Sequence, residues 1–157
     1  MKIKSLTRAA IIASLYVALT LLASSMGLAS GAIQVRLSEV LTVLPAFTAA
    51  AVPGLTIGCL ISNLITGCIA WDVIFGTLAT FLGAAGTRLI AKKNKFLAPL
   101  PPIISNAVIV PLVLKFAYEV PDLLPYLIFT VALGEIISCG VLGLILIPLL
   151  EKHKNIF

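Results

Sequence analysis

Long apolar runs separated by short polar or proline-containing breaks dominate the chain. No Asp, Glu, Lys or Arg occurs between positions 9 and 35, or between positions 40 and 71. Because about 20 helical residues cross a bilayer, such runs predict membrane-spanning helices. We predict about six spans: 5–24, a short second helix beginning near Val35, 53–67, 73–91, 97–118 and 123–150.

The uncharged run 40–71 is too long for one comfortable helix and too short for two full ones. Pro45 and Pro53 divide it, because proline ends or kinks a helix, and Pro53 suits the first turn of the third helix. Glycine and serine in 25–34 predict a break after the first span. Since that segment is uncharged, we expect it to fold back onto the protein, where it can cover a pocket.

Composition fits this pattern, with 61% of the 157 residues hydrophobic and 11% charged. Ordinary soluble domains are about a quarter charged. The sequence therefore predicts an all-α, multi-pass integral protein of the cell membrane with a single domain over 1–157.

The net charge is +5, and most of the basic residues lie in or next to the predicted loops and chain ends. Nine of the eleven basic residues fall in three groups that six spans place on one side: Lys2, Lys4 and Arg8; Arg88, Lys92, Lys93 and Lys95; Lys152 and Lys154. Loops rich in Lys and Arg stay in the cytoplasm. We therefore expect both termini and 88–95 to be cytoplasmic, and we expect no nucleic-acid partner.

The sequence offers little for catalysis. Cys59, Cys68 and Cys139 lie in apolar runs, are odd in number and form no C-x-x-C, so we expect buried thiols and no metal or cofactor. The single histidine is His153 in the tail. No Walker A or H-E-x-x-H motif is present, so we expect no enzymatic activity and no ATP coupling within this chain.

Several polar residues nevertheless fall within the predicted spans. Arg36 and Glu39, three residues apart, share a helix face, and Asn63, Asn106 and Glu135 lie in spans three, five and six. Asp72 and Lys115 fall near the outer rim. Intramembrane charges are expensive and face protein, water or ligand, so an outward-facing pocket is predicted.

Structural alternatives exist for most of these groups. Arg36 can form an ion pair with Glu39, or with Glu135 across the bundle, and Glu135 can instead be protonated. The asparagines can join helices by hydrogen bonds, and Lys115 can extend to the membrane surface. Two small-residue pairs, Ala9-x-x-x-Ala13 and Gly54-x-x-x-Gly58, allow close helix packing; from the residues alone, packing within the subunit is favoured.

Five segments resemble one family throughout the chain. They are Ile33-Gln-Val-Arg-Leu-Ser-Glu-Val-Leu-Thr-Val-Leu-Pro45 with Pro53-Gly54, Asp72-Val-Ile-Phe-Gly76-Thr-Leu-Ala-Thr, Leu97-Ala-Pro-Leu-Pro-Pro102, Asn106-Ala-Val-Ile-Val and Ala132-Leu-Gly-Glu135. In this order they look like the QueT family, substrate-binding S components of energy-coupling factor (ECF) transporters. The Arg-x-x-Glu stretch with its proline is the most specific part.

The resemblance implies an S-component-like bundle that takes up a queuosine precursor, a 7-deazaguanine such as its 7-aminomethyl form or queuine. It implies a transmembrane scaffold and two cytoplasmic ATPases as partners, with Ala9 and Ala13 docking on the scaffold. The expected substrate-binding residues are Arg36, Glu39, Asn63, Trp71, Asp72, Asn106 and Glu135.

The roles within this set stay open. A carboxylate can accept the adjacent N–H donors of the base, and a second can bind an aminomethyl ammonium; either Glu39 or Glu135 can take either end. Trp71 or Tyr118 can stack on the base or belong to the interfacial belt. Competing functions are an autonomous facilitator or ion-coupled carrier, an intramembrane enzyme, and a purely structural subunit.

Overall fold

The computed structural model describes residues 3–28 and 34–152, and every regular element within those ranges is helical. The elements are α1 (Ile3–Ser25), a 3₁₀ helix (Leu37–Ala46), α2 (Ala51–Ile65), α3 (Ala70–Ile90), a 3₁₀ turn (Lys95–Leu97), α4 (Leu100–Phe116) and α5 (Leu124–Lys152). The predicted helical membrane bundle is confirmed. Part of the predicted fold-back segment, 29–33, lies outside the described residues.

Four segments are long and apolar enough to cross a membrane: α1, α3, Lys95–Phe116 and α5. The 3₁₀ helix and α2 are shorter, with 10 and 15 residues. At about 2.0 Å and 1.5 Å per residue, each covers roughly 20 Å of a hydrocarbon core about 30 Å thick. The short second helix was predicted, but its 3₁₀ geometry was not, and ten-residue 3₁₀ helices are uncommon.

The packing of α1 on α2 depends on small residues in both helices. A Cβ atom at Gly54 would lie 2.8 Å from the Ala9 carbonyl oxygen, and one at Gly58 would lie 2.8 Å from Tyr16 Cβ and 3.0 Å from the Ala13 carbonyl oxygen. Ala9 and Ala13 are buried in this contact. The structure thus places these two alanines inside the subunit, as the packing alternative expects. Docking of the pair on a scaffold stays a prediction.

Contacts between helix ends define the two sides of the bundle. At one end Arg88 donates a hydrogen bond to the Pro45 carbonyl (3.1 Å), and Lys95 forms a salt bridge with Glu151 (3.1 Å). The α1 residue Ala9, next to Arg8, contacts the start of α2 at this end. The described basic groups at the start of α1, around the end of α3 and at the end of α5 therefore share one side, as the positive-inside prediction requires.

The opposite end carries the acidic and aromatic loop residues. Lys115 donates hydrogen bonds to the backbone carbonyls of Val120, Pro121 and Asp122 at 2.9–3.4 Å. The ammonium group thus holds the turn between α4 and α5. By the positive-inside rule we expect this end to face outward.

Candidate substrate-binding site

Two irregular helices meet in the bundle. The 3₁₀ helix packs against a π-helical segment of α5, Ile136–Leu142. Just before both elements, Gly134 packs against Gln34, and a Cβ there would lie 2.2 Å from the Gln34 carbonyl oxygen. Long 3₁₀ stretches and π segments often occur at functional sites, and this junction carries the two buried glutamates.

Glu39 and Glu135 come from these two helices and lie in one buried cluster, 0% and 5% exposed. Tyr16 of α1 donates a hydrogen bond to Glu39 Oε1 at 2.5 Å. The Cys139 thiol donates to Glu135 Oε2 at 3.1 Å and to the Glu39 backbone carbonyl at 3.5 Å. One oxygen of each glutamate and the Cys139 sulfur lie within 4.8 Å of one another. The fold therefore places two carboxyl groups side by side.

Asn106 brings α4 into the same cluster. Its amide lies beside both carboxyl groups, yet its Nδ2 has no partner with hydrogen-bond geometry among the described residues. The same holds for Glu39 Oε2 and for the hydroxyls of Ser38 and Ser138. Leaving buried polar atoms unpaired costs about 1–3 kcal/mol each. The cluster thus holds donors and acceptors that a bound molecule can satisfy.

Arg36 supplies the positive charge of the site. Its guanidinium interacts electrostatically with Glu39, Asp72 and Glu135. Among the described residues, however, Lys95–Glu151 is the one salt bridge shorter than 4 Å. Arg36 therefore makes no close ion pair with either glutamate. The structural ion pair considered as an alternative is therefore not formed as a direct contact. Arg36 acts on the cluster at longer range.

Asn63 and Asp72 form the outer part of the site. Both side chains border the space above Gly76, within 3.1 and 3.3 Å of where a Cβ there would lie. Tyr118 donates a hydrogen bond to Asp72 Oδ2 at 3.1 Å. Partial burial and the Asp72 carboxylate raise the pKa of Tyr118 to about 12. The phenol therefore remains a neutral donor at physiological pH.

Trp71 is not brought to this cluster. It is 59% exposed and stacks on Phe75, with ring centroids 5.8 Å apart. Both rings line an apolar groove of about 560 Å³ between α3 and α4. This position suits the interfacial-belt alternative. The other six predicted residues lie in or beside the cluster.

Gln34 lines two cavities. The smaller, of about 130 Å³, lies between α1, the start of the 3₁₀ helix and α2, and the described residues that line it are Tyr16, Thr20, Ala23, Ser24, Gln34, Arg36, Ser38, Ser62, Asn63 and Thr66. The larger, of about 370 Å³, lies between α4 and α5 with mixed lining: Gln34, Leu114, Val120, Asp122, Tyr126, Leu127, Thr130 and Val131.

Some members of the site carry no clear sequence signal. Tyr16 is an isolated hydroxyl in an apolar helix, and only the rule that a buried tyrosine hydroxyl needs a partner points to it. Cys139 was predicted as a buried thiol, but its contact with Glu135 depends on the spacing of four residues within α5. Glu39, Glu135 and Cys139 are also the described groups close enough to share a metal ion. The absence of a bound metal stays a prediction.

Comparison with known proteins agrees with this architecture. The QueT transporter family model matches residues 6–152. The chain is 34% identical over 144 residues to the queuosine precursor transporter QueT of Lactococcus lactis subsp. cremoris strain MG1363, and the match covers 82% of each chain. No solved structure matches significantly. The protein is therefore a member of the QueT transporter family, a multi-pass membrane transport protein and not an enzyme.

Proposed function

We propose that this protein captures a queuosine precursor, a 7-deazaguanine, from outside the cell. We further propose that it is the S component of an ECF importer and delivers the ligand together with a scaffold and two ATPases. The QueT family match supports the transport role, and the name of the Lactococcus relative supports the ligand class. The lack of a Walker A motif in the sequence agrees with ATPase activity residing in partner subunits.

The observation that carries the ligand assignment is the unpaired polar set at the glutamate pair. Glu39 Oε2 offers an acceptor and Asn106 Nδ2 offers a donor, and both atoms are buried. A 7-deazaguanine presents two adjacent N–H donors, a carbonyl acceptor and, in the aminomethyl form, an ammonium group. Two carboxyl groups and an amide match those needs, and charge-assisted hydrogen bonds to them are strong.

The larger cavity suits the flat base. Its apolar walls come from Leu114, Val120, Leu127 and Val131, and Gln34, Asp122 and Thr130 add polar edges. Ligand pockets commonly combine apolar walls with a few polar groups. Helical spacing places Glu135 one turn inward from Val131, and Asn106 two turns inward from Leu114. We therefore assign Glu135 and Asn106 to the floor of the base pocket.

Scaffold docking on α1 is the second part of the proposal. Because Ala9 and Ala13 face α2, Ala10, Ser14 and Ala18 are the small residues that α1 presents outward. Their spacing of four residues makes one close-packing stripe. Ala10→Leu is expected to impair transport by the full complex while leaving ligand binding by the isolated subunit unchanged. Equal loss of both would contradict docking through this stripe.

Titration of the purified subunit with 7-aminomethyl-7-deazaguanine tests the ligand assignment. Adenine is the control, because it is a purine that lacks the paired N1–H and amino donors of the guanine edge. We expect saturable binding of the deazaguanine and none of adenine at the same concentrations. Equal binding of both, or of neither, would refute the assignment.

Uptake measurements test the ECF assignment separately. Accumulation of the same labelled ligand in cells is expected to need the scaffold and both ATPases. Accumulation without them would favour an autonomous facilitator or an ion-coupled carrier. Binding by the isolated subunit would be unaffected by that result.

A further inference from the structure

We propose that the 130 Å³ cavity is a second subsite, and that it holds a hydroxylated substituent on the 7-position of the deazaguanine. This inference rests on the proposed function, because it assumes that the base occupies the larger cavity. It adds a ligand preference: precursors with a polar hydroxylated ring are bound through contacts that the aminomethyl form cannot make.

The lining of the cavity carries the proposal. Six residues with hydroxyl groups line it, together with Gln34, Arg36 and Asn63: Tyr16, Thr20, Ser24, Ser38, Ser62 and Thr66. The hydroxyls of Thr20, Ser62 and Thr66 donate to backbone carbonyls of their own helices and keep their acceptor capacity. Hydroxyl groups both donate and accept hydrogen bonds, so a hydroxyl-rich cavity complements a diol.

Ser38 gives independent support. Its side chain is 1% exposed and lines the cavity, and its hydroxyl has no hydrogen-bond partner among the described residues. By contrast, the hydroxyl of Ser62 bonds the Cys59 carbonyl of its own helix. A buried hydroxyl without a partner is costly. A ligand hydroxyl in this cavity would satisfy Ser38.

Gln34 lines both cavities, so the two lie side by side. Tyr16 lines the small cavity and donates its hydroxyl to Glu39, and Glu135 is four residues from Val131, which lines the large cavity. A ligand with its base over Glu135 and its substituent in the small cavity passes Glu39. The amine that joins base and substituent then meets the unpaired Glu39 Oε2. This arrangement assigns Glu39 to the amine and Glu135 to the base.

Two ligands and three variants test the subsite in titrations of the purified subunit. The ligands are 7-aminomethyl-7-deazaguanine and queuine, which differ in the cyclopentenediol on the amine. Ser62→Leu fills the cavity, and Ser14→Leu is its matched control, since Ser14 also bonds its own helix backbone but is exposed on α1. Ser38→Ala removes a hydroxyl without adding volume or breaking an internal hydrogen bond.

We expect Ser62→Leu to weaken queuine binding at least about tenfold and to leave the aminomethyl ligand within about twofold, with Ser14→Leu altering neither. Ser38→Ala should weaken queuine roughly three- to tenfold and leave the aminomethyl ligand unchanged. Equal effects of Ser38→Ala on both ligands, or none on queuine, would overturn the subsite while the proposed function stands. Failure of the wild-type protein to bind either ligand would instead overturn the proposed function.

Discussion

At the scale of single residues, the partners of the buried polar side chains determine which groups remain for a ligand to bind. Tyr16 is an example: its hydroxyl donates a hydrogen bond to Glu39 Oε1, and Glu39 Oε2 has no partner among the described residues. Breaking a hydrogen bond to a buried charged group leaves that group unsatisfied. Tyr16 is therefore a positioning residue for the glutamate.

Tyr16→Phe is expected to destabilise the ligand-free protein by about 1–3 kcal/mol, because Glu39 loses its donor within the bundle. Thermal melting in detergent measures the change. Tyr126→Phe is the control, since Tyr126 is exposed and has no role in holding Glu39. An equal melting temperature for wild type and Tyr16→Phe would contradict the positioning role.

At the scale of the elements, small residues decide how closely the helices approach. A Cβ at Gly58 would lie 3.0 Å from the Ala13 carbonyl oxygen of α1. A Cβ at Gly140, in the π segment, would have Ile136 Cγ2 as its nearest neighbour, at 3.7 Å. Gly58 therefore has no room for a methyl group, whereas Gly140 has room for one.

Gly58→Ala is therefore expected to destabilise the protein by about 1–3 kcal/mol, the usual cost of overpacking. Gly140→Ala should have an effect below about 1 kcal/mol. Melting of both variants measures the difference. A Gly58→Ala protein as stable as Gly140→Ala would show that the α1–α2 contact can move apart freely.

Much of the fold was predictable from the sequence, since apolar runs and prolines located the spans to within a few residues. The 3₁₀ and π geometry was not predictable, because apolar runs and prolines mark where a helix lies and not its hydrogen-bond pattern. The inward orientation of Ala9 and Ala13 depends on glycines of α2 some 45 residues later. The sequence of one helix does not show which of its rows of small residues packs inside the subunit and which faces outward.

The site was predictable in part, for a physical reason. Arg36, Glu39, Asn106 and Glu135 were predicted as site residues because charges and amides within apolar spans are expensive, and their contact with substrate stays a prediction. Trp71 was included for its aromatic ring, yet the orientation of a ring at a span boundary depends on the packing of its neighbours. The hydroxyls around the small cavity come from α1, the 3₁₀ helix and α2, so only the folded chain brings them together.

At the scale of the whole molecule, charge distribution sets the orientation in the membrane. The structure gathers the described basic loop residues at one end and Asp72, Tyr118 and Cys68 at the other. The proposed pocket opens toward the second end. Orientation therefore decides whether ligand enters from outside.

A membrane-impermeant maleimide is expected to label Cys68 from outside intact cells, since its thiol is half-buried at the outer end. A cysteine introduced as Asn94→Cys should react only after the membrane is opened. Cys59 and Cys139 are buried and serve as internal controls. Reaction of position 94 from outside would reverse the topology.

The most direct test of the account is ligand titration of Glu135→Gln beside Glu151→Gln on the same helix. Glu151 is exposed and forms a surface salt bridge, which contributes little to stability. Glu135→Gln is expected to weaken 7-aminomethyl-7-deazaguanine binding about ten- to a hundredfold, because a charge-assisted hydrogen bond to the base is lost. The ligand-free protein should melt at the same temperature or higher, since a buried carboxyl group is removed. Unchanged affinity with a lowered melting temperature would make Glu135 a structural residue and contradict the central claim.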